Sequence, residues 1–183
     1  MIKLLILDID GVLTNGTKMY DKNHNVIGKS FMCKDFTAIK RFIAAGIKVI
    51  LLSGDNFNRT MAEKRNLEFY CTRDSDLNLD KSVFIDKFIK QYNLKEEEIA
   101  FVGDDYFDLS MFERLKHVYC PSDSPSIIKQ YAEYVLKNKG GEGVIVELYD
   151  YFEAKKYLKD ASKEKVAELD KKELTSKQMK QIK

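Results

Sequence analysis

The sequence has almost no net charge, because its 31 basic residues are offset by 29 acidic ones. Such a balance lacks the strong positive field with which proteins hold nucleic acid. Long hydrophobic runs are also missing: those typified by Ala44 to Ser53 are too short and too broken to cross a bilayer, which needs about 20 apolar residues. The start, Met1 to Asp10, carries acids where a signal peptide needs an apolar core. We therefore expect a cytoplasmic protein that binds a small molecule, with no nucleic-acid or membrane partner.

Cysteine and histidine are scarce, and their placement argues against the sites that are built from them. The three cysteines, Cys33, Cys71 and Cys120, are odd in number and widely spaced, which favours reduced thiols over disulfides or a zinc site. His24 lies in a turn-like cluster and His117 opens a strand-like run, so neither is expected to be a ligand.

Short apolar runs recur along the chain and alternate with segments of helical spacing. The first run, Lys3 to Ile9, is nearly continuous, as in a central parallel strand that is buried on both faces. The other runs are Ile47 to Leu52, Glu68 to Cys71, Ile99 to Val102 and Val118 to Cys120. Between runs, apolar residues share a helical face, as Ile39, Phe42 and Ile43 do before the helix-ending Gly46. The alternation predicts an α/β fold of the doubly wound, Rossmann-like class, with a parallel sheet flanked by helices.

Residues 15–31 interrupt this alternation. Strand-forming residues lie on both sides of a turn cluster, Asp21 to Asn25, which predicts a β-hairpin inserted directly after the first strand. No later insertion is large enough to form a cap domain. After Tyr157 the chain becomes rich in lysine, so we expect one domain over residues 1–157 and a tail over residues 158–183 that begins as a helix and then frays.

Polar residues follow the apolar runs at the points where ligands bind in a parallel α/β sheet, beyond the carboxyl ends of the strands. They are Asp8 and Asp10 after the first run, Ser53 and Gly54 after the second, and Asp104, Asp105 and Asp108 after the fourth; Lys81 opens a later helix. Carboxylates crowded at one edge repel each other unless a divalent cation that prefers oxygen ligands holds them. Magnesium fits this requirement, and we expect its ligands to include Asp8, Asp10 and Asp104.

The spacing of the two acids in DIDG supports a phosphoryl-transfer chemistry. Asp8 is the candidate nucleophile that forms an acyl-phosphate, and Asp10 is the candidate general acid and base. Ser53 and Lys81 are candidates to donate hydrogen bonds and charge to the phosphoryl oxygens. Asp105 and Asp108 remain candidates either to orient metal-bound waters or to hold Lys81 in place.

Each of these residues has a plainer interpretation when it is taken alone. An isolated DxD pair is usually a solvated strand end, Ser53 would serve as a cap for a helix starting near Asn56, and Lys81 is one of many lysines. The glycines of KGGEG satisfy a turn, or alternatively allow a close approach to phosphate. Four such sites in order at strand ends favour the catalytic interpretation.

These four sites resemble the motifs of the haloacid dehalogenase superfamily. They occur here as DIDGVLT, the serine of LLSGD, Lys81 and GDDYFD. DIDGVLTNG, FMCKDFTAIK, GDDYFDLSMF and KGGEGVIVEL are similar to its capless branch, which contains the phosphatases of 3-deoxy-D-manno-octulosonate 8-phosphate and of nine-carbon 2-keto-3-deoxy sugar acid 9-phosphates. The resemblance covers roughly Met1 to Tyr157 and implies a homotetramer in which hairpins associate and neighbouring subunits help to close each active site.

The resemblance also implies a substrate site. Lys34, Asp35 and Lys40 would lie near the sugar-acid end of the substrate, and Gly54 and Asp108 would border it. Octulosonate phosphatases commonly have arginine directly after the glycine of the second motif, whereas this chain has Asp55. The nine-carbon enzymes can have glutamate there, and Asp55 together with the GGEG sequence favours that group mildly.

Three further functions remain as alternatives. A receiver domain also uses strand-end acids and a lysine, but it carries its phosphorylated aspartate on a middle strand, where this chain has Ser53. A non-catalytic oligomerisation or regulatory module of sugar-nucleotide biosynthesis would not need Asp8, Asp10, Lys81 and Asp104 intact. A sugar phosphatase of broad specificity would keep the same chemistry without the sugar-acid preference.

Overall fold

In the computed structural model, which describes residues 1–74 and 80–181 with side chains through residue 173, six parallel strands form the central sheet. They are β1 (Leu4–Leu7), β4 (Lys48–Ser53), β5 (Glu68–Cys71), β6 (Ile99–Val102), β7 (His117–Cys120) and β8 (Tyr134–Val135). Their order across the sheet is β5-β4-β1-β6-β7-β8, and every neighbouring pair is parallel. All residues of β1 and β6 are buried, because helices cover both faces of the sheet at its centre.

Seven helices flank or follow the sheet in the described residues. They are α1 (Cys33–Ala44), α2 (Arg59–Glu63), α3 (Val83–Tyr92), α4 (Leu109–Arg114), α5 (Ser126–Tyr131), α6 (Val144–Lys155) and α7 (Lys163–Gln181). One apolar core joins the sheet to α1 and α6, with Phe42 and Phe152 in edge-to-face contact, and a second joins it to α3, α4 and α5. The predicted doubly wound α/β class is therefore confirmed.

A two-stranded antiparallel hairpin follows β1, as predicted. Its strands are β2 (Met19–Tyr20) and β3 (Val26–Gly28). Asp21 closes the turn, because its Oδ1 accepts hydrogen bonds from the backbone N–H groups of Asn23 and Asn25. Within residues 1–74 and 80–181, nothing else is inserted that could form a cap domain over the sheet edge.

The segment after Tyr157 forms α7, which packs against α1 of the same chain. Lys40 on α1 makes ion pairs with Asp170 at 2.5 Å and with Glu173 at 2.7 Å. Glu173 is buried and also faces the Arg65 guanidinium, whose flat side lies over the Phe36 ring. The tail thus contacts the body of the protein through residues that include Asp170 and Glu173, and the division at Tyr157 stays a prediction. No helix in the described part of the chain combines the length and apolar character that crossing a membrane requires.

Candidate active site

A cleft of about 660 Å³ opens at the carboxyl edge of the sheet, where β1, β4 and β6 end side by side. Of the residues predicted from the sequence, the structure places eight in its walls: Asp8, Asp10, Ser53, Gly54, Lys81, Asp104, Asp105 and Asp108. They come from separate parts of the chain and meet because the parallel topology brings these strand ends together.

Lys81 lies at the centre of the cleft and is buried between two carboxylates. Its Nζ is 3.0 Å from Asp8 Oδ1 and 2.5 Å from Asp108 Oδ1. Burial alone would lower the pKa of the Lys81 ammonium, but the charges of Asp8 and Asp108 outweigh it and raise that pKa above its usual value. Lys81 therefore carries a fixed positive charge next to the nucleophile candidate.

Asp108 holds this arrangement together with both of its carboxylate oxygens. Oδ1 accepts the hydrogen bond from Lys81, and Oδ2 accepts from the backbone N–H groups of Asp104 at 2.9 Å and Asp105 at 3.2 Å. Of the two roles left open for Asp108, holding Lys81 is the one that its contacts fit. Asp105 caps a short 3₁₀ turn through its hydrogen bond with the backbone N–H of Tyr106.

One carboxylate oxygen from each of Asp8, Asp104 and Asp108 lies within 4.8 Å of the other two. Burial raises the pKa of Asp8 to about 7, although Lys81 counteracts it, and burial with the negative charges of Asp8 and Asp108 raises the pKa of Asp104 to about 9. Asp8 and Asp104 thus resist being ionised side by side, which is the electrostatic signature of a site that needs a cation. An all-oxygen donor set suits a hard divalent ion such as Mg²⁺.

Gly11 leaves the space that Asp104 occupies. A Cβ atom at Gly11 would lie 1.9 Å from Asp104 Oδ2, and the backbone there has a φ of +85°, which favours glycine. The glycine of DIDG is therefore required both by the turn after β1 and by the carboxylate that approaches it from β6.

The Asp10 carboxylate lies outside this group and contacts the hairpin instead. Lys29, directly after β3, places its Nζ 2.7 Å from Asp10 Oδ1, and Asn58 donates a weaker hydrogen bond to Oδ2. The Lys29 side chain is 0% exposed and also pairs with Asp55 at 2.8 Å. The structure thus gives the third place among the clustered carboxylates to Asp108, and the Asp10 side chain is held by the hairpin instead.

Lys29 is a site residue that the sequence did not reveal. Only the pairing of the hairpin with the cleft brings it to Asp10, 19 residues earlier, and a lysine next to a strand is by itself an ordinary surface residue. A second hairpin lysine, Lys18, lines the cleft and pairs with Asp55 at 2.7 Å.

We expect Lys29→Met to lower kcat by about 10- to 100-fold, because Asp10 loses the group that fixes its carboxylate. The free energy of unfolding should fall by about 1–3 kcal/mol, since two partly buried carboxylates lose their shared cation. Steady-state kinetics and urea unfolding measure the two effects. Lys22→Met, at an exposed position in the turn of the same hairpin, is the matched control and should leave both unchanged. An unaltered kcat in Lys29→Met would contradict the inference that Lys29 fixes the Asp10 carboxylate.

Ser53 ends β4 and is almost fully buried, with its Oγ accepting a hydrogen bond from the backbone N–H of Asp55 at 3.1 Å. The cap of the following 3₁₀ turn is Asp55, which accepts from the Phe57 N–H, so the alternative interpretation of Ser53 as that cap is wrong. Burial would raise the pKa of Asp55, but its hydrogen bonds with Lys18 and Lys29 outweigh this and hold that pKa well below its usual range. Asp55 is therefore ionised and paired within its own chain.

Comparison with known proteins decides the family. A model of haloacid dehalogenase-like hydrolases matches residues 74–148. The 3-deoxy-D-manno-octulosonate 8-phosphate phosphatase of Haemophilus influenzae is 34% identical over 152 residues, which cover 81% of this chain and 81% of that protein. The chain belongs to the haloacid dehalogenase-like hydrolases.

Solved structures agree with this membership. The cobalt-bound deoxy-D-mannose-octulosonate 8-phosphate phosphatase of Haemophilus influenzae has a TM-score of 0.74 and 32% identity, covering 85% of this chain and 90% of that chain. A subfamily III A hydrolase of the same superfamily from Legionella pneumophila has a TM-score of 0.78 and 26% identity, covering 93% and 90%. The predicted resemblance to the capless branch and the assignment as a phosphoric monoester hydrolase are confirmed.

Three residues that the family resemblance placed near the substrate lie elsewhere in this hydrolase. None of them is among the residues that line the cleft. Lys34 is exposed in the first turn of α1, and Lys40 faces α7 through its ion pairs with Asp170 and Glu173. Asp35 is fully buried, so it cannot contact a ligand in the cleft of its own chain, and its predicted substrate role is corrected.

Asp35 instead caps a helix that lies far away in the sequence. Helix α6 begins after Gly143 without a side-chain cap of its own, and Asp35 Oδ1 accepts hydrogen bonds from the backbone N–H groups of Ile145 at 2.9 Å and Val146 at 3.1 Å. A carboxylate at a helix N-terminus satisfies unpaired donors and interacts favourably with the helix dipole. The residue joins α1 to α6 inside the core.

We expect Asp35→Ala to cost about 2–3 kcal/mol of unfolding free energy, because two buried backbone donors lose their acceptor. The KM of the remaining folded enzyme should not change. Asp150→Ala removes an exposed carboxylate from α6 and should alter neither quantity. Urea unfolding with kinetics on the same samples checks this, and a raised KM at normal stability would restore the substrate role of Asp35.

The glycine-rich segment KGGEG packs against the DIDG loop that follows β1. A Cβ atom at Gly140 would lie 2.0 Å from the backbone oxygen of Gly11, and the Gly141 N–H donates a hydrogen bond to the Val12 carbonyl at 2.9 Å. None of its glycines lines the cleft. Of the two roles considered from the sequence, the turn is the one that the structure fits, because Gly141 and Gly143 have positive φ; close packing against the DIDG loop is a further role that the sequence did not indicate.

Proposed function

We propose that this chain is a Mg²⁺-dependent phosphatase that hydrolyses a phosphorylated 2-keto-3-deoxy sugar acid through an aspartyl-phosphate on Asp8. The observation that carries the proposal is the group of three clustered carboxylates around the buried Lys81, with Ser53 beside it at the same sheet edge. Membership of the haloacid dehalogenase-like hydrolases supports the same chemistry.

In the first half of the proposed reaction, an Asp8 carboxylate oxygen attacks phosphorus and the bond between phosphorus and the ester oxygen breaks. Asp10 gives its proton to the leaving oxygen, so the sugar acid departs as a neutral alcohol. Lys81 and Ser53 donate hydrogen bonds to the phosphoryl oxygens, whose charge is redistributed in the transition state. Bound Mg²⁺, held by Asp8 and Asp104, would supply further positive charge to these oxygens.

In the second half, water attacks the phosphorus of the aspartyl-phosphate and gives a proton to Asp10. The bond between phosphorus and Asp8 breaks, which restores both carboxyl groups and releases inorganic phosphate. Asp10 alternates between acid and base in this scheme, so its carboxylate has to stay in one place through both steps. Its contact with Lys29 supports that requirement.

The substrate class rests on the relatives. The Haemophilus influenzae protein that is 34% identical is a 3-deoxy-D-manno-octulosonate 8-phosphate phosphatase. We propose an octulosonate 8-phosphate or a nine-carbon 9-phosphate for this chain, because Asp55 stands at the position of the arginine that is common in octulosonate phosphatases. We place the enzyme in the cytoplasm, where phosphorylated sugar acids would be formed and consumed.

The experiment is phosphate release with Mg²⁺ from a panel of octulosonate 8-phosphate, nine-carbon 9-phosphates and hexose phosphates, with EDTA as the metal-free control. A preference of at least about 100-fold in kcat/KM for one of the first two groups is the expected result. Equal, weak activity on all esters would replace the sugar-acid assignment with a broad-specificity phosphatase. Silence across the panel, with folded protein, would favour a non-catalytic assembly module.

We further propose a homotetramer in which hairpins associate. The hairpin exposes three large apolar side chains, those of Met19, Tyr20 and Ile27, which is unusual for so small an element and fits a contact between subunits. Sedimentation velocity at micromolar protein should give a tetramer, and Ile27→Lys should shift it towards smaller species. A wild-type monomer would contradict the proposal.

A further inference from the structure

Negative charge dominates the lining of the cleft. Eight carboxylates line it, whereas the cations among the described lining residues are Lys18, Arg73 and Lys81. Lys81 is paired with Asp8 and Asp108, and Lys18 with Asp55. Arg73 makes no ion pair with any carboxylate of residues 1–74 and 80–173, so among the described lining residues it is the cation whose charge these carboxylates do not neutralise.

Arg73 lies at the carboxyl edge, two residues after the end of β5, and its guanidinium is near Gly54 and Phe107. Its Nε and Cζ lie 3.4 and 3.5 Å from the point where a Cβ would stand on Gly54. On another side, Cζ is 5.9 Å from the centre of the exposed Phe107 ring, within the range of a cation–π contact. The group thus lies next to the Ser53-Gly54 turn, and its donors make no hydrogen bond to the part of the chain that the structure describes.

Arg73 lies nearer the mouth of the cleft than Ser53 and Lys81, the groups proposed to bind the phosphoryl oxygens. Ser53 and Lys81 are buried, whereas Arg73 is exposed. A phosphate bound at Asp8 would meet Ser53 and Lys81, and the rest of the substrate would extend outwards past Gly54. A guanidinium presents a planar fork of donors that matches a carboxylate with two parallel hydrogen bonds.

We propose that Arg73 binds the carboxylate of the substrate and thereby selects phosphate esters that carry a second anionic group. This inference rests on the proposed function for the location of the phosphate at Asp8. It adds the residue that recognises the acid end of the substrate, a role that Asp55 cannot perform because it is negatively charged and paired with Lys18 and Lys29.

The test compares 6-phosphogluconate with glucose 6-phosphate, a pair in which a carboxylate replaces an uncharged end, together with the octulosonate and nine-carbon substrates. For Arg73→Gln we expect KM for the carboxylate-bearing esters to rise about 10- to 100-fold with little change in kcat, and glucose 6-phosphate kinetics to stay unchanged. Arg73→Lys should recover part of the loss. The matched control is Arg59→Gln, which removes an arginine that is already paired with Asp74 and lies outside the lining of the cleft.

The outcomes separate this inference from the proposed function. If the wild type prefers sugar-acid phosphates and Arg73→Gln keeps that preference, the inference fails and the function stands. If the wild type ignores octulosonate and nine-carbon substrates, but Arg73→Gln removes a preference for 6-phosphogluconate over glucose 6-phosphate, the inference stands and the proposed substrates fail. If Arg73→Gln lowers kcat/KM equally for 6-phosphogluconate and glucose 6-phosphate, Arg73 contacts the phosphate or maintains the fold. That result would overturn the inference.

Discussion

An Asp8→Asn variant is expected to lose phosphatase activity by at least about 10⁴-fold while remaining folded, because the amide cannot act as the nucleophile. Lys81 keeps its hydrogen bond with Asp108 in this variant, so the centre of the cleft retains one of its two ion pairs. Phosphate release on the preferred substrate measures the loss. Asp150→Asn, at an exposed position on α6, makes the same chemical change and should leave activity intact.

The same variant should change stability in a way that depends on pH. The pKa of Asp8 is raised to about 7 in the folded protein from an ordinary value of 3.8, so its stabilising contribution is present at low pH and is lost as the pH rises through about 7. Without metal, Asp8→Asn should therefore unfold at a higher urea concentration than the wild type at pH 8, and at a similar one near pH 4. Lower stability of the variant at pH 8 would show that the ion pair with Lys81 outweighs the cost of burying the charge.

Gly11→Ala is expected to abolish most activity through Asp104 rather than through the nucleophile. The new Cβ would lie 1.9 Å from Asp104 Oδ2 and 2.3 Å from its Cγ, so that carboxylate has to move. We expect Mg²⁺ affinity to fall by about 100-fold and kcat/KM by about 1,000-fold, since a shifted carboxylate spoils both binding of the ion and its placement. Isothermal titration with Mg²⁺ and steady-state kinetics measure the two quantities.

Gly46→Ala provides the control for backbone strain. Gly46 has a φ of +91°, close to that of Gly11, but a Cβ there would meet no atom within 4 Å. Both variants lose about 1 kcal/mol of stability because alanine has to adopt a left-handed backbone conformation, whereas only Gly11→Ala displaces a carboxylate. Normal Mg²⁺ affinity in Gly11→Ala would contradict the assignment of Asp104 to the metal.

The parts of the site that lie at strand ends could be predicted from the sequence. Asp8, Ser53 and Asp104 each follow an apolar run, and parallel topology brings such positions to one edge whatever the details of packing. The periodicity of α1 and its end near Gly46 could be predicted for the same reason, because local spacing and a glycine at positive φ determine them.

Residues whose roles depend on distant partners could not be assigned in this way. Asp35 caps a helix that begins more than 100 residues later, and Lys29 meets Asp10 only after the hairpin folds back over the cleft. Nothing in the local sequence separates a lysine that pairs with a carboxylate of the cleft from one that is solvated. Resemblance to relatives misled at Asp35, because the position was transferred without the packing that buries it.

The contact between α7 and α1 changes how shortened versions of this enzyme should be interpreted. Ending the chain at Tyr157 would strip Lys40 of both its acidic partners and would uncover the apolar side chains of Phe36 and Ile39 beneath. Loss of activity in a truncated protein would therefore report lost stability or aggregation, and would not assign the tail a role in the reaction. Single substitutions that remove a charge on α7, such as Glu173→Gln, test the contribution of the helix without exposing the surface that it covers.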